Sequence, residues 1–286
     1  MKYDFKFVKY QGCGNDFIIK DEMGAPTIPD SDRSKLARKL CDRHFNVGAD
    51  GVIFIERAKG VDASMRLFEP AGNEADMCGN GIRCVASYLI DKLGKSEVDI
   101  LTRDGVKHIV RKGDVYAVDM GLIRTRRKDL KEYVSDKGKA GDSMMDMEIS
   151  AGRRMFRGSL VNSGEPHFVS KTTNLSSLAV RGIGDTVNKN RKRFPKGVNL
   201  NFVQVEGPHE ISIRTYERGV YGETLACGTG ATASAAVALL LGWVKQGPVN
   251  VKVRGGQLKI RVDKDGMAIM TGPAEAEFEG VLKAVV

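Results

Sequence analysis

Apolar positions along this chain come mostly in short runs that alternate with polar ones and stop at glycine, asparagine or aspartate, the spacing of β-strands. Gly51 to Arg57, Ser64 to Glu69, Val98 to Thr102 and Ile211 to Tyr216 are the clearest examples. Helical spacing is rarer. Leu36, Ala37 and Leu40 give one apolar face to a helix reaching about Asp42, with Asp30 and Ser31 as its expected N-caps. After Val249 alternation returns, broken at Gly255-Gly256, Asp265-Gly266 and Gly272-Pro273, which predicts a meander with tight turns through Val286.

One stretch occurs twice, at a separation far too long for a solenoid. Gly72-Asn73-Glu74-Ala75-Asp76-Met77-Cys78-Gly79-Asn80-Gly81 is echoed by Tyr221-Gly222-Glu223-Thr224-Leu225-Ala226-Cys227-Gly228-Thr229-Gly230. Each copy has Glu four residues before Cys, then Cys-Gly-x-Gly, then a helix-compatible run ending near a glycine, Gly94 or Gly242. Two similar halves are implied, each offering a cysteine at a helix entrance, with the boundary near Gly121, after a strand over Val115 to Met120. The expected halves are 1–120 and 121–273, with 274–286 available to complete the first, and a cleft between them is expected.

A cysteine just ahead of a helix sits beside amides that have no intrahelical partner. Those N–H groups and the helix dipole attract an anion, and flanking glycines let a carboxylate approach the backbone closely. The same field favours thiolate over thiol, with cysteine pKa values of about 3.5–7.5 known in such settings. Two such motifs at one α-carbon would clamp an α-carboxylate and put a sulfur on each face, so that one thiolate removes the proton and the other thiol supplies one. The backbone N–H groups of Gly79, Asn80, Gly228 and Thr229 are the expected stabilisers of the charge that builds on the carboxylate. Three weaker readings compete: a small buried hydrophobe, a phosphate loop and a redox pair. The repetition argues against the first, and Cys13, Cys41 and Cys84, which lack it, are read that way. Neither motif continues into Gly-Lys-Ser/Thr, and neither cysteine has a Cys-x-x-Cys neighbour.

Composition narrows the class further. The chain has 286 residues, enough for one large or two ordinary domains, and is 42% hydrophobic and 28% charged, as expected of a soluble globular protein. No apolar stretch approaches the roughly 20 residues that span a bilayer, and residues 1–20 lack a secretory layout, so cytoplasmic localisation is expected. Five cysteines, an odd number without zinc spacing, indicate neither a disulfide framework nor a metal site. The net charge of +9 rests partly on Arg124 to Lys128 and Lys189 to Lys196. Neither run is interleaved with stacking aromatics, so both are read as solvated surface rather than a nucleic-acid site.

At these residues the chain resembles the diaminopimelate epimerase family, almost end to end. The likeness is carried by Gly12-Cys13-Gly14-Asn15-Asp16-Phe17, Gly48-Ala49-Asp50-Gly51, Met77-Cys78-Gly79-Asn80-Gly81-Ile82-Arg83-Cys84, Pro166-His167, Asn199, Glu217-Arg218-Gly219, Ala226-Cys227-Gly228-Thr229-Gly230 and Gly255-Gly256-Gln257-Leu258. The resemblance implies an α+β fold of two pseudo-symmetric halves, each a curled, mainly antiparallel sheet around a central helix. It implies Cys78 and Cys227 as the acid/base pair, and LL-/meso-diaminopimelate as the substrate, on the path to lysine, with neither pyridoxal phosphate nor metal. It implies Asn15 at the reacting centre, Asn199 and Arg218 on the distal carboxylate, and Glu217 near the distal amine and the reacting centre. No more than loop support is expected of His167, and His44, His108 and His209 are read as structural or exposed.

Three departures from the family pattern stand out. Phe68-Glu69-Pro70-Ala71-Gly72 and Gly164-Glu165-Pro166-His167 carry Glu69 and Glu165 where the family usually has asparagine, and Tyr221 is inserted before the second motif. Two carboxylates beside a distal carboxylate would repel it unless paired or protonated. Racemisation of lysine, ornithine or arginine is therefore the alternative within the same chemistry, and a non-catalytic amino-acid-binding protein is the alternative outside it. Phenazine-biosynthesis isomerase-like proteins share the expected architecture and are expected to lack the cysteine pair. The expected partner is a small amino acid, with no nucleic acid or membrane, and a homodimer is compatible.

Overall fold

The computed structural model describes residues 2–24, 26–135 and 143–285. The chain divides into two units, one of Met1–Asp119 with Thr271–Val286 and one of Met120–Met270. In the first, β1 (Lys2–Gly12) and β2 (Asn15–Asp21) form a hairpin, and α1 (Asp30–Leu40) leads to β3 (Gly51–Glu56), which lies parallel to β2. The antiparallel β4 (Ala63–Phe68) and two-residue β5 (Glu74–Ala75) follow, then α2 (Gly79–Leu93). The strand β6 (Glu97–Thr102) returns parallel to β4, and β7 (Gly105–Lys112) and β8 (Val115–Leu122) continue antiparallel.

The second unit repeats this pairing. After α3 (Arg127–Leu130) and β9 (Met147–Ala151), β10 (Arg154–Asn162) and β11 (Pro166–Lys171) form a hairpin, and α4 (Val180–Lys189) leads to β12 (Asn199–Gly207), parallel to β11. Antiparallel β13 (Glu210–Glu217) and two-residue β14 (Gly222–Glu223) precede α5 (Gly228–Leu240). The strand β15 (Val249–Val253) is parallel to β13 and antiparallel to β16 (Gly256–Val262). The chain then runs through β17 (Met267–Pro273) to β18 (Glu275–Val285), which pairs with β1 in the first unit as β9 pairs with β10 in the second.

Each unit wraps its sheet around one helix. The strands β1, β2, β4, β6, β7 and β18 pack on α2, and β10–β13, β15 and β16 pack on α5. A helix apolar on every side has to be interior, and α5, reading GTGATASAAVALL, is buried from Gly228 to Leu239. Its small side chains let the surrounding strands approach closely. The second helix of each unit covers the outer face of the sheet. Leu36, Ala37 and Leu40 of α1 meet Phe5, Ile18, Val52 and Phe54, while Val180, Ile183 and Val187 of α4 meet Phe168, Leu200, Phe202 and Tyr216. The class is α+β, two halves of curled, mostly antiparallel sheet around a central helix.

The start of α1 differs from the sequence expectation. Pro29 is its N-cap, without a side-chain bond, because the Asp30 carboxylate is drawn away to Arg66 at 2.7 Å. The helix stops at Leu40, and Asp42 instead accepts the amides of His44 and Phe45 at 2.8 and 3.0 Å. The meander is present as β15 to β18, with Val286 outside the described residues. No helix among the described residues is long and apolar enough to cross a membrane.

Candidate active site

Both repeated cysteines are helix N-caps. Cys78 precedes α2 in extended conformation and its sulfur accepts the Gly81 amide at 3.5 Å, and Cys227 precedes α5 and accepts the Gly230 amide at 3.4 Å. The second glycine of each motif is a requirement of packing. A Cβ on Gly230 would lie 2.5 Å from Asn201 Oδ1, and one on Gly81 would be 3.1 Å from Ile53 Cδ1. The repeated glutamates explain the rest of the echo. Arg66 of β4 grips Glu74 at 2.7 and 3.0 Å, and Arg214 of β13 grips Glu223 at 2.7 and 2.8 Å. Each fork ties a two-residue strand to its neighbour and so fixes the segment that leads into the cysteine.

In the first unit Cys78 donates to Asn15 Oδ1 at 3.6 Å, and the Asn80 side-chain amide reaches the same oxygen at 3.1 Å. Asn15 is held in that orientation by Asp50. A carboxylate can only accept, so the Asn15 amide nitrogen faces it at 2.7 Å and the oxygen is left for the thiol. Arg43 binds both Asp50 and Asp16 at 2.7 Å, and Lys9 reaches Asp16 at 2.7 Å. Asp16 is consequently held down at about 2, its burial outweighed by the Arg43 and Lys9 bonds and charges. The parallel register of Phe17 with Gly51 brings these acids together, although they are remote in sequence.

The second unit builds a longer relay. Thr215 donates to Asn201 Oδ1 at 2.9 Å, which turns the Asn201 amide nitrogen onto His167 Nδ1 at 2.9 Å. His167 then carries its proton on Nε2 and donates to Thr229 Oγ1 at 3.0 Å, and the Thr229 hydroxyl in turn shares a hydrogen bond with Cys227 Sγ at 3.4 Å. His167 is fully buried, and burial, reinforced by the Arg218 charge and opposed by the Asn201 bond, lowers its pKa to about 3. It is thus a neutral link in the relay rather than a loop support. Ser163 secures the Thr229 carbonyl at 2.8 Å.

Next to this relay, Asn199 accepts the Arg218 amide at 2.8 Å, and its side-chain nitrogen lies 3.4 Å from His167 Nε2. The Arg218 guanidinium places Nε and Nη2 on one oxygen of Glu165, at 2.9 and 2.5 Å, and stacks 5.6 Å from the Tyr133 ring centroid. Glu217 accepts the Thr224 hydroxyl. Tyr221 sits exposed at positive φ, 54°, with its amide on the Glu217 carbonyl at 2.9 Å. Glu69 closes its own turn, exchanging backbone bonds with Asn73 at 2.9 Å and Gly72 at 2.7 Å, and accepts the Asn73 side chain. So Asn15, Gly79 and Asn80 gather at Cys78, and Asn199, Thr229 and Gly228 at Cys227, with Arg218, Glu165 and Glu217 adjoining. Of the two glutamates at the family's asparagine positions, Glu165 is paired with Arg218. Ser163, Asn201 and Thr215 carried no signal of their own in the sequence, and Asp50 none beyond its place in Gly48-Ala49-Asp50-Gly51, because strand register creates their contacts. Among the described residues no group of three or more His, Cys, Asp or Glu could hold a metal.

Comparison with known proteins covers nearly the whole chain. The family described as diaminopimelate epimerase matches residues 7–125 and 159–277. A diaminopimelate epimerase of Methanocella arvoryzae is 38% identical over 96% of this chain and 95% of its own, and one of Methanothrix thermoacetophila is 39% identical over 97% and 95%. Among solved structures, a hydroxyproline epimerase from Agrobacterium vitis shares the fold with a TM-score of 0.71 at 14% identity, covering 98% of this chain and 91% of that one. A phenazine-biosynthesis PhzF-family protein from Enterococcus faecalis has a TM-score of 0.70 at 14% identity, covering 99% and 100%.

Proposed function

The chain belongs to the diaminopimelate epimerase family, and on that premise we propose that it interconverts LL- and meso-diaminopimelate through Cys78 and Cys227 in the cytoplasmic route to lysine. The observation that carries the reading is the repetition of one device, a thiol capping the central helix of each unit. Inversion needs one group to take the α-proton and another to return one to the opposite face. The thiolate that takes it becomes a thiol, the electron pair left on carbon takes the proton of the other thiol, and that sulfur becomes the thiolate. Charge passes from one cysteine to the other and no net proton is consumed. The first amides of α2 and α5, at Gly79, Asn80, Gly228 and Thr229, hold the α-carboxylate and the charge that builds on it. Asn15 and Thr229 orient the sulfurs. Asn199 and Arg218 bind the distal carboxylate with Glu217 near the distal amine, and Glu165 competes with the substrate for Arg218.

Assay of the protein, under reducing conditions and without added cofactor, on LL-diaminopimelate beside L-lysine, L-ornithine and L-arginine tests this. The proposal expects meso-diaminopimelate to form at a kcat/KM at least tenfold above that for any of the three. Faster inversion of a cationic amino acid would overturn the substrate, and binding without inversion of any of them would overturn the reaction.

A further inference from the structure

Glu165 both competes for Arg218 and holds it, so a ligand carboxylate that displaces Glu165 also takes away two of the bonds that keep the guanidinium in place. The usual partners of a guanidinium orient it by using its N–H donors, which are then lost to a ligand. An aromatic face is the exception, because its quadrupole attracts the cation and leaves every donor open. Tyr133 supplies such a face, with Arg218 Cζ 5.6 Å from the ring centroid. Nη1 of Arg218 also donates to the Lys196 carbonyl at 3.1 Å, a bond that does not involve Glu165.

Both of these partners are anchored from outside the site. Tyr133 follows α3, its amide bonded to the Leu130 carbonyl at 2.9 Å, and it packs against the core cluster that buries Leu130 and Val134. Ser135 ties the chain just beyond it, donating its amide to the Arg193 carbonyl at 2.8 Å. Lys196 precedes Gly197, which has a φ of +74° and where a Cβ would lie 2.7 Å from Asn188 Oδ1. The buried Asn188 side chain accepts the Val198 amide at 2.9 Å and donates to the Val198 carbonyl at 3.0 Å, so the Lys196 carbonyl is fixed as well. The Lys196 ammonium, bound by Glu132, lies 5.6 Å from the centroid of the same ring. Tyr133 thus carries two cations, each with a glutamate of its own.

We propose that Tyr133 is the positioning residue of Arg218, holding the guanidinium by its π-face so that it stays aimed while a ligand carboxylate takes over from Glu165. The inference rests on the reading that Arg218 binds the distal carboxylate. Tyr133 lies between the two stretches that match the family, 7–125 and 159–277, so the role is drawn from this chain's own structure. The attraction belongs to the ring and not to the hydroxyl, which separates the expected behaviour of phenylalanine from that of leucine at this position.

Steady-state kinetics on LL-diaminopimelate gives the first test. Tyr133→Leu should raise KM at least about threefold with kcat within about twofold, and Tyr133→Phe should leave both within about twofold of wild type. The same rise should follow Tyr133→Leu in a Glu165→Asn background, where the competitor is gone and the ring is still needed. Phenylglyoxal modification of the full chain without substrate, followed by peptide mass spectrometry, reads the guanidinium itself. Arg218 should react at least about threefold faster in Tyr133→Leu than in the wild type or Tyr133→Phe, while Arg214, gripped by Glu223, keeps its rate. An unchanged KM in Tyr133→Leu, or a rise as large in Tyr133→Phe, overturns the proposal. So does loss of the effect in Glu165→Asn, which would mean that the ring serves Glu165 and not the ligand. If Tyr133→Leu does not fold, Tyr133→Met, bulky but without an aromatic face, replaces it in both measurements. If the wild type neither binds nor inverts diaminopimelate, the reading of the distal site fails, and the phenylglyoxal comparison still decides the role of Tyr133: equal Arg218 rates in the wild type and Tyr133→Leu overturn it.

Discussion

Arg218 offers two N–H groups to a single oxygen of Glu165, so a ligand carboxylate seeking that guanidinium must displace a residue already bound there. The pair is only partly buried, with side-chain exposures of 22% and 36%, so displacement is feasible and its cost should appear in binding. Glu165→Asn is therefore expected to lower KM for diaminopimelate several-fold and leave kcat within about twofold, as removal of a ground-state competitor should. Steady-state kinetics of the two proteins checks it, and an unchanged or higher KM would show that Glu165 does not compete. His167 makes a prediction about stability. Above its unfolded value of about 6.5 both states hold a neutral imidazole and the contribution of burial is complete. Between there and about 3 only the unfolded chain takes up the proton, so stability falls as pH falls, by up to about 1.4 kcal/mol per unit. Urea unfolding at pH 7, 6 and 5 should show this slope in the wild type and a shallower one in His167→Gln. Equal slopes would place the acid sensitivity elsewhere. At this scale the cysteines were legible because their motif recurs. The relay through Asn201 and Thr215 was not, because it exists only where β11, β12 and β13 lie side by side.

At the scale of elements, the helix entrances of α2 and α5 follow from local chemistry alone. A residue with a side-chain acceptor, then two glycines in three positions, marks a cap and a close approach. The same reasoning fails at α1, where Arg66 takes the carboxylate of Asp30 that would have capped the helix. The short helix α4 went unanticipated, since glycines at 182 and 184 weaken its pattern, and it persists because Val180, Ile183 and Val187 have a core to enter. The capping sulfurs imply a dissection of stability from activity. Cys227→Ser keeps an acceptor at the cap while Cys227→Ala removes it, so thermal or urea unfolding should find the alanine variant less stable by about 1 kcal/mol. Both should be inactive in inversion. Equal stability would mean that the Gly230 amide gains nothing from its sulfur. The Arg214–Glu223 fork, whose Glu223 side chain is 12% exposed, holds the approach to Cys227. Glu223→Gln should reduce kcat more than it raises KM, because on the proposed reaction it loosens the sulfur that moves the proton and not the binding of the distal end. A rise in KM alone would contradict that assignment.

For the whole molecule, the repeat that surfaces in sequence only as ten residues around each cysteine extends in structure to a complete pairing scheme, from β1–β7 to β10–β16. The remaining strands show no such echo because a sheet face requires alternation and volume, not particular residues. Where a glycine, a capping acceptor and a half-buried ion pair are all needed at once, the two copies are alike. Duplication of the thiol with its helix is thus the feature that defines the molecule, and the claim built on it is that each sulfur serves one face of the same α-carbon. Following LL-diaminopimelate in deuterium oxide by NMR and chiral chromatography, for the wild type, Cys78→Ala and Cys227→Ala, tests that claim most directly. The account predicts that the wild type forms meso-diaminopimelate with deuterium at the inverted α-position and that each single variant loses inversion by at least a thousandfold. Inversion at near wild-type rate by either variant would contradict it.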